Sequence, residues 1–437
     1  MKDLLSINGK VCPSCGRVHS FDIDSVISGA GALERLPEAL ERLGAKNPFI
    51  LSDINTFRAA GEKVCAILRK NDIAHSLFTF SDEALEPDEA NVGLAVMHFD
   101  YSCDAIIGVG SGVINDIGKI LSNISGRPYI IVATAPSMDG YASASSSMTR
   151  AGLKISLSSR APDIIIGDTD ILCQAPLKMM KSGLGDMLAK YVSICEWRIA
   201  ALLVGEYYCE EIASLVRLAL GRCVDNAAGL LKRDPVAVEA VFEGLVIGGI
   251  AMNYAGLSRP ASGVEHYFSH VWDMRGVEYH TPVDFHGIQC AIGTLIAARL
   301  YEKLKKITPD RKKALDHAAA FDYEAYAEEL RAFLGRGAED MIRLEAKEGK
   351  YDLARHAKRL ELIISNFDKI LAIVNEEIPS SAEIEAILDL IDAPKSLSDI
   401  GLDDSILPMS FKATKDIRDK YVLSRLAWDL GIIDELL

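Results

Sequence analysis

The sequence predicts an α/β domain over residues 1–175, followed by an all-helical domain over residues 176–437. Three observations support this fold class. The chain has 437 residues, which is too long for one compact core. Up to about residue 175, short apolar runs alternate with helical stretches, which is typical of a largely parallel sheet. Beyond Pro176, nearly every segment has the 3.6-residue apolar periodicity of helices.

The predicted strands are short apolar runs at residues 47–52, 76–80, 105–109, 129–133 and 163–167. Amphipathic runs such as 32–43 and 57–70 are predicted to be the helices between them. Ligands of parallel sheets bind at the carboxyl ends of the strands, so the residues after each strand are the first candidates for a site. We also expect a site in the cleft between the two domains, since domain interfaces concentrate ligand sites.

Composition excludes several classes of protein. A net charge of −15 argues against a nucleic-acid or anionic-membrane surface. The nine cysteines are odd in number and scattered, so we expect no disulfide framework. The start of the chain lacks a basic segment followed by an apolar run, and the most apolar window, near residues 245–252, is shorter than the ~20 residues that span a bilayer. The sequence therefore predicts a cytoplasmic protein.

The first chemical motif is CPSCGRVH, with Cys12, Cys15 and His19. This spacing is typical of half a small zinc site, but no second cysteine pair lies nearby in the sequence. The alternative is a plain β-turn with two thiols.

Residues 263–287 hold four of the nine histidines: His266, His270, His280 and His286. His266 and His270 are four residues apart, so they share one face of a helix. His286 follows Pro282 and is predicted at the start of the next helix. Two histidines need at least one more ligand to hold a catalytic metal, and Asp186 in the GLGD segment is the best carboxylate partner. The alternatives are core histidines and an Asp that opens a helix.

Three further motifs follow predicted strands. Gly108 to Lys119, beginning GVGSG, could bring backbone N–H groups and a helix N-terminus to a phosphate, although Val113 stands where the dinucleotide fingerprint has glycine. Asp53 follows another strand and either binds a ribose hydroxyl or caps a helix. The run from Thr134 to Ser145 is either a cofactor-binding loop or a polar loop with serine turns.

Read together, these motifs resemble the glycerol-1-phosphate dehydrogenases, in particular the bacterial AraM-like branch of the iron-containing/glycerol dehydrogenase superfamily. The matching patterns are G-x-G-S-G-x-x-x-D, T-x-P-S-x-D-G-x-x-S, GLGD, S-R-P-A-S-G-x-E-H-x-x-S-H and H-G, in order from about residue 25 to 300. The resemblance implies a nucleotide-binding first domain with a dehydroquinate synthase-like fold. It leaves the charged region 309–359 without a role.

The resemblance also implies roles for individual residues. Asp186, His266 and His286 would be the metal ligands, while Asp139, Asp186 and His270 would act on the substrate; His280 falls outside the ligand set. The residues expected at the dinucleotide are Asp53, Gly110, Ser111, Gly112, Val113, Ile114, Asn115, Asp116, Thr134, Ser137 and Ser143. The expected cofactors are NAD(H), with NADP(H) as a second choice, and one divalent zinc, nickel or iron ion.

The activity that the resemblance implies is reversible reduction of dihydroxyacetone phosphate to sn-glycerol 1-phosphate by a homo-oligomer, a dimer or larger. Arg259, Lys154 and His270 are candidates for the phosphate. Three other functions stay open: a polyol dehydrogenase, a 3-dehydroquinate-synthase-like lyase, and a nucleotide-sensing protein that has kept the fold. The lyase prefers a glutamate ligand and several basic residues, which Asp186 and its surroundings do not match.

Overall fold

The computed structural model describes residues 8–82, 85–150 and 153–437, and of residues 153 and 154 only the backbone. The chain forms two compact units. The first contains the residues up to Met187 together with Ser214–Leu257, and the second contains Leu188–Ala213 and Ser258–Leu437. The domain boundary at residues 175/176 stays a prediction.

The first unit is built on a six-stranded sheet in which every pairing is parallel. The strands across it are, in order, Ser25–Gly29, Ile164–Asp168, Tyr129–Ala133, Ala105–Gly110, Pro48–Asp53 and Ser76–Phe80. The predicted α/β class is therefore confirmed. The strands of this sheet are β3 Ser25–Gly29, β4 Pro48–Asp53, β5 Ser76–Phe80, β6 Ala105–Gly110, β7 Tyr129–Ala133 and β10 Ile164–Asp168. Two antiparallel hairpins accompany it, β1 Lys10–Val11 with β2 Val18–His19, and β8 Ser145–Arg150 with β9 Leu153–Ser158.

The sheet brings three predicted motifs to one edge. Ser52 pairs with Val109, and Gly110 pairs with Ala133, so the carboxyl ends of β4, β6 and β7 are neighbours. Their isoleucines and valines are buried, and on one face of the sheet Leu36 and Val64 belong to the same apolar core. Burial of this core stabilises the sheet that positions the strand-end loops.

Helices in the first unit follow the strands, as the alternating pattern predicts. They are α1 Leu36–Arg42, α2 Ile54–Thr56, α3 Glu62–Lys70, α4 Glu89–His98, α5 Gly112–Ser125, α6 Thr169–Leu172, α7 Leu177–Leu188, α9 Glu210–Asp225 and α10 Pro235–Ala255; α7 ends and α9 begins in the second unit. Shorter 3₁₀ turns lie at Ala32–Arg35, Asp139–Ala142 and Ala227–Lys232, and a π-helical turn at Phe57–Gly61.

The elements described beyond Pro176 are all helical, which confirms the predicted second half. Those of the second unit are α8 Lys190–Val204, α11 Val264–Tyr279, α12 His286–Leu304, α13 Arg311–Ala320, α14 Tyr323–Leu334, α15 Ala338–Glu348, α16 Leu353–Ser365, α17 Phe367–Glu377, α18 Ser381–Leu390, α19 Leu407–Thr414 and α20 Leu423–Asp429, with 3₁₀ turns at Gly335–Gly337, Ser398–Ile400 and Asp404–Ile406. The charged region 309–359 lies in α13 to α16.

Helix α10 corrects the expectation from the apolar window. It has 21 residues and is long and apolar enough to cross a membrane, so the window near residues 245–252 understated its length. However, 78% of its apolar segment is buried inside the protein. A core helix of this kind meets the same test of length and composition as a membrane-spanning one.

Candidate functional site

The glycine-rich turn, which begins within β6 and ends at the start of α5, is shaped by packing at two of its three glycines. A Cβ on Gly108 would lie 2.3 Å from the Tyr129 hydroxyl, and a Cβ on Gly110 would lie 2.5 Å from Cβ of Ile114. A Cβ on Gly112 would meet only Met138, at an ordinary 3.5 Å. Packing therefore does not require glycine at residue 112, the first residue of α5.

The N-terminus of α5 contains the predicted cofactor residues Gly112, Val113, Ile114 and Asn115 in its first turn. The side chain of Ser111 does not cap this helix. The first N–H groups of a helix have no partner within the helix, and together with the helix dipole they favour an anion. The local geometry fits the pyrophosphate of a dinucleotide.

The loop after β7 is joined to this turn by hydroxyl groups. Ser111 Oγ lies 2.5 Å from Ser137 Oγ, and the Tyr141 hydroxyl donates to Ser111 Oγ at 3.1 Å. The Thr134 N–H donates to the Gly110 carbonyl at 3.1 Å. These contacts bring Thr134 and Ser137 next to the glycine-rich turn, as the motifs predict.

The buried side chain of Lys119 holds residues 140–145 of that loop through hydrogen bonds. Its ammonium lies 2.9 Å from Asp116 Oδ1 and donates to the Gly140 carbonyl at 3.2 Å, to Ser143 Oγ at 3.3 Å and to the Ser145 carbonyl. Its side chain is fully buried. Asp116 and Ser143, both predicted at the cofactor, are thus held on one buried cation.

Asp53 ends β4 and caps α2. Its Oδ1 accepts hydrogen bonds from the N–H groups of Asn55 at 2.8 Å and Thr56 at 2.9 Å, and the Thr56 hydroxyl completes a capping box with the Asp53 N–H. Oδ1 of Asp53 accepts both of these capping hydrogen bonds. A helix cap and a ribose contact are therefore compatible at this residue.

Asp139 and Asp186 meet within the first unit. The Asp139 N–H donates to Asp186 Oδ2 at 2.9 Å, and Asp186 is buried. The expectation that Asp186 opens a helix is wrong, because it lies in the last turn of α7. Gly183, one turn earlier, lies so close to the Pro136 carbonyl that an added Cβ would be 1.9 Å from its oxygen.

His266 and His286 form the centre of a cluster in the second unit. As predicted, His266 and His270 share α11 and His286 begins α12. The His266 Nδ1 lies 2.9 Å from Glu265 Oε1, and the His286 Nδ1 lies 3.0 Å from Ser269 Oγ. The two rings are 5.0 Å apart. The oxygen partners at the two Nδ1 atoms orient both imidazoles, as in protein metal sites where a second contact fixes the ring that binds the ion.

Cys290 joins this cluster and was not predicted. Its Sγ lies 3.5 Å from His286 Nε2, and the ligand atoms of Cys290, His266 and His286 all lie within 4.8 Å of one another. Burial opposes ionisation of this thiol, but the neighbouring His266 and His286 outweigh it and lower its pKa. The available sequence signal was its spacing of four residues from His286 on one helix face. Imidazole nitrogens beside a thiol suit zinc, nickel or iron(II).

His270 lies at the edge of the histidine cluster, with its ring 6.1 Å from that of His286. Burial, followed by His286 and His266 and then by the cations Arg418 and Lys420, lowers its pKa well below 6.5. His270 is therefore a neutral imidazole at neutral pH. Lys420 Nζ lies 5.8 Å from the ring centroid of Tyr267, whose ring is 6.2 Å from that of His270.

The sequence also suggested roles for Arg259, His280 and Lys154. Arg259 is buried and commits Nε and Nη2 to Glu206 at 2.8 and 2.6 Å, which makes it a poor phosphate ligand. His280 is exposed and ends α11 in the left-handed conformation, in agreement with a structural role. The Lys154 side chain lies outside the described residues.

A match to a protein family and matches to individual relatives support the same assignment. Residues 27–176 match the family described as iron-containing alcohol dehydrogenase. A glycerol-1-phosphate dehydrogenase (NAD(P)+) from Halalkalibacterium halodurans is 28% identical over 413 residues, 94% of this chain and 93% of the relative. A protein of the same name from Bacillus licheniformis is 32% identical over 70% of this chain and 77% of the relative.

Solved structures agree on the fold. The crystal structure of a probable glycerol dehydrogenase from Sinorhizobium meliloti has a TM-score of 0.60 and 18% sequence identity, with 96% of this chain and 98% of that chain covered. At this identity the likeness shows the fold alone.

Proposed function

The chain belongs to the glycerol-1-phosphate dehydrogenase family of the iron-containing alcohol dehydrogenases, and we propose that it catalyses the reaction for which its relatives are named. The reaction is reversible reduction of dihydroxyacetone phosphate to sn-glycerol 1-phosphate by NAD(P)H. The observation that carries the proposal is the pair of histidines whose Nδ1 atoms face Glu265 and Ser269.

For the metal we propose Asp186, His266 and His286 as ligands, with zinc, nickel or iron(II) as the ion. A carboxylate and two imidazoles leave coordination positions for a substrate oxygen, as a catalytic site requires. Burial of Asp186 and the oriented histidines support this assignment. When bound, the divalent ion supplies Lewis acidity to the C2 oxygen and the nicotinamide supplies the hydride.

We propose that the dinucleotide lies along the strand-end loops of the first unit. The N-terminus of α5, with its uncapped N–H groups and a glycine that packing does not require, supports binding of the pyrophosphate there. Asp53 supports a preference for NAD(H), because its carboxylate favours a ribose hydroxyl and repels a 2′-phosphate. NADP(H) would bind more weakly.

For the substrate we propose Asp139 and His270 at the reacting triose and Arg418 with Lys420 at its phosphate. His270 is neutral at neutral pH, so it can donate or accept the proton of a substrate hydroxyl but carries no charge for the phosphate. Burial lowers the pKa of Lys420 to about 7. A phosphate dianion beside it would restore its charge, and exposed Arg418 supplies a permanent one.

We further propose a cytoplasmic homo-oligomer, a dimer or larger. The odd number of scattered cysteines supports a reducing compartment. Light scattering during size-exclusion chromatography of the purified protein measures the oligomer directly, and a monomer at micromolar concentration would contradict it.

The decisive experiment is NADH oxidation by protein reconstituted separately with zinc, nickel or iron(II). We expect rapid oxidation with dihydroxyacetone phosphate and slow oxidation with dihydroxyacetone. In reverse, sn-glycerol 1-phosphate should reduce NAD while its enantiomer, sn-glycerol 3-phosphate, should not. Equal rates on both trioses would indicate a polyol dehydrogenase, and no oxidation of either would reject the dehydrogenase.

Variants test the residue assignments. His266→Ala and Asp186→Asn should lose metal and turnover while still binding NADH, as measured by fluorescence titration. Arg418→Gln and Lys420→Gln should raise KM for dihydroxyacetone phosphate and leave KM for dihydroxyacetone unchanged. Lys412→Gln is the matched control, because its ammonium pairs with Asp434 on the same unit. An active, metal-replete His266→Ala protein would exclude His266 as a ligand.

A further inference from the structure

The N-terminal hairpin of the first unit gathers three metal-ligating side chains. Cys12 and Cys15 lie in the turn between β1 and β2, and His19 ends β2. One ligand atom from each of the three lies within 4.8 Å of the others, and Cys15 Sγ is 3.3 Å from His19 Nε2. Cys12 and His19 are buried although both hairpin strands are otherwise exposed.

The imidazole of His19 is oriented by a second contact. Its Nδ1 lies 3.0 Å from the Tyr254 carbonyl, whose only hydrogen-bonding role is to accept, so Nδ1 carries the proton. The lone pair of the neutral ring is then on Nε2, the atom that faces Cys15. A backbone carbonyl on the far nitrogen is how proteins orient a histidine toward a metal.

The turn backbone holds the two thiols on the same side. The Cys12 N–H donates to the Arg17 carbonyl at 2.8 Å, and the Gly16 N–H donates to the Cys12 carbonyl at 2.9 Å. Gly16 has a φ of 71°, which a residue with a Cβ rarely adopts. With two residues in each strand, the hairpin is far too short to be stable through its own pairing.

We propose that Cys12, Cys15 and His19 bind a zinc-class divalent ion that fastens the hairpin to the C-terminal end of α10. Two thiolates with two residues between them and one imidazole are a soft donor set with the spacing of structural zinc sites. A tetrahedral ion takes four ligands, so one further donor completes the set. This site shares no ligand with the histidine cluster of the second unit, and the proposal does not rest on the proposed function.

The attachment point connects the hairpin to the loop that carries Asp139. Tyr254 contacts the rings of His19 and Phe21, with centroids 5.7 and 5.2 Å away. The neighbouring Asn253 donates from Nδ2 to the Ala142 carbonyl at 2.7 Å. The ion would therefore stabilise the end of α10 that also holds the 3₁₀ turn Asp139–Ala142.

The test is the metal content of the full-length protein, purified under reducing conditions and measured by mass spectrometry. We expect the double variant Cys12→Ser/Cys15→Ser to lose one equivalent of metal per chain relative to the wild type. His266→Ala should retain that equivalent. Cys65→Ser is the matched control, because Cys65 is a buried cysteine in the core of the same unit. Equal metal content in the wild type and the double variant would overturn the proposal.

A second measurement needs no variant, in case the double variant fails to fold. In wild-type protein loaded with zinc, X-ray absorption should show sulfur ligands at about 2.3 Å in addition to nitrogen. Quantification of thiols in denaturant should find Cys12 and Cys15 reduced. An absorption spectrum with nitrogen and oxygen ligands alone, or a disulfide between Cys12 and Cys15, would also overturn the proposal.

Discussion

Glu265 Oε1 lies 2.9 Å from His266 Nδ1 and also accepts the Gly263 N–H at 2.6 Å. The buried carboxylate therefore ties the imidazole to the first turn of α11. Ser269 does the same for His286 from the next turn of that helix. Two adjacent turns of one helix thus orient both histidines, so their Nε2 atoms are arranged before any ion binds.

Removing the acceptor should weaken metal binding without removing a ligand. We expect Glu265→Ala to reduce metal affinity by about 10- to 100-fold, the usual effect of losing such a contact. Glu265→Gln should reduce metal affinity less, because the glutamine amide oxygen can still accept a hydrogen bond from His266 Nδ1. Competition with a chelator measures both. Glu345→Ala removes another buried carboxylate, one that accepts the backbone N–H groups of Lys350 and Tyr351, and should leave affinity unchanged. Equal affinity in all three variants would exclude the orienting role.

Cofactor choice can be tested at Asp53 without disturbing its helix. Asp53→Asn should keep the cap, because asparagine caps helices as well as aspartate does. It removes the charge that repels a 2′-phosphate, an effect of at least about 1 kcal/mol at contact distance. We expect kcat/KM with NADPH relative to NADH to rise about fivefold or more, measured by initial rates.

Asp53→Ala separates the two roles of this residue. It should shift cofactor preference as Asp53→Asn does, but also lower the free energy of unfolding by about 1 kcal/mol because the capping box is lost. An unchanged NADPH-to-NADH ratio in both variants would show that Asp53 is a cap alone.

The sheet could be predicted because its strands are continuous apolar runs. Residues 76–80 and 129–133 were predicted with the observed limits. Tyr129–Ala133 is buried at every residue, which demands isoleucine and valine there. The edge strand Ser76–Phe80 is only partly buried, and its leucine and phenylalanines were the signal. Ser25–Gly29 was missed because this edge strand is half-buried and mixes polar residues with apolar ones. The hairpin of β8 and β9 was not predicted, because its serines and threonine hide the alternation of apolar and polar residues.

The site residues also fall into two groups: those that local sequence spacing could place and those that come together only in the folded chain. Local spacing was sufficient to place His266 and His270 on one face of α11, because residues four apart in a helix share a face. It was not sufficient for contacts that form only on folding. The commitment of Arg259 to Glu206 and the proximity of Lys420 to Tyr267 join residues more than 50 positions apart, and no local pattern carries that information.

Gly183 provides a test of the contact between α7 and the loop before Asp139. An added Cβ would lie 1.9 Å from the Pro136 oxygen, so Gly183→Ala must displace backbone. We expect the free energy of unfolding to fall by about 3 kcal/mol, as for severe overpacking, and turnover to fall with it. Gly221→Ala in α9 is the control, because nothing lies within 4 Å of its added Cβ, and helix propensity should stabilise it by about 1 kcal/mol. Urea unfolding measures the stability of both variants. Equal stabilities would mean that the loop at Pro136 moves away from the added Cβ at no cost in free energy.

The buried carboxyl group of Asp416 provides a prediction of how the stability of the fold depends on pH. Its Oδ2 lies 3.1 Å from Lys415 Nζ and accepts from the Tyr326 and Tyr351 hydroxyls at 2.9 and 2.6 Å. Burial alone would raise the pKa of this carboxyl, but Lys415 and then Lys350 outweigh it and hold the pKa below its ordinary value. Because the folded pKa is lower than the unfolded one, the ionised carboxylate stabilises the fold above the unfolded pKa of about 3.9, and this stabilisation disappears as the pH falls through the folded value.

Asp416→Asn should therefore lower the free energy of unfolding by roughly 3 kcal/mol near neutral pH, where it leaves the buried Lys415 without its carboxylate. The difference between wild type and variant should stay constant down to about pH 4 and narrow below it. Urea unfolding over this pH range measures the difference. Asp368→Asn, at an exposed position in the first turn of α17, should change stability little at any pH. A difference that widens on acidification would mean that the folded pKa of Asp416 is raised rather than lowered.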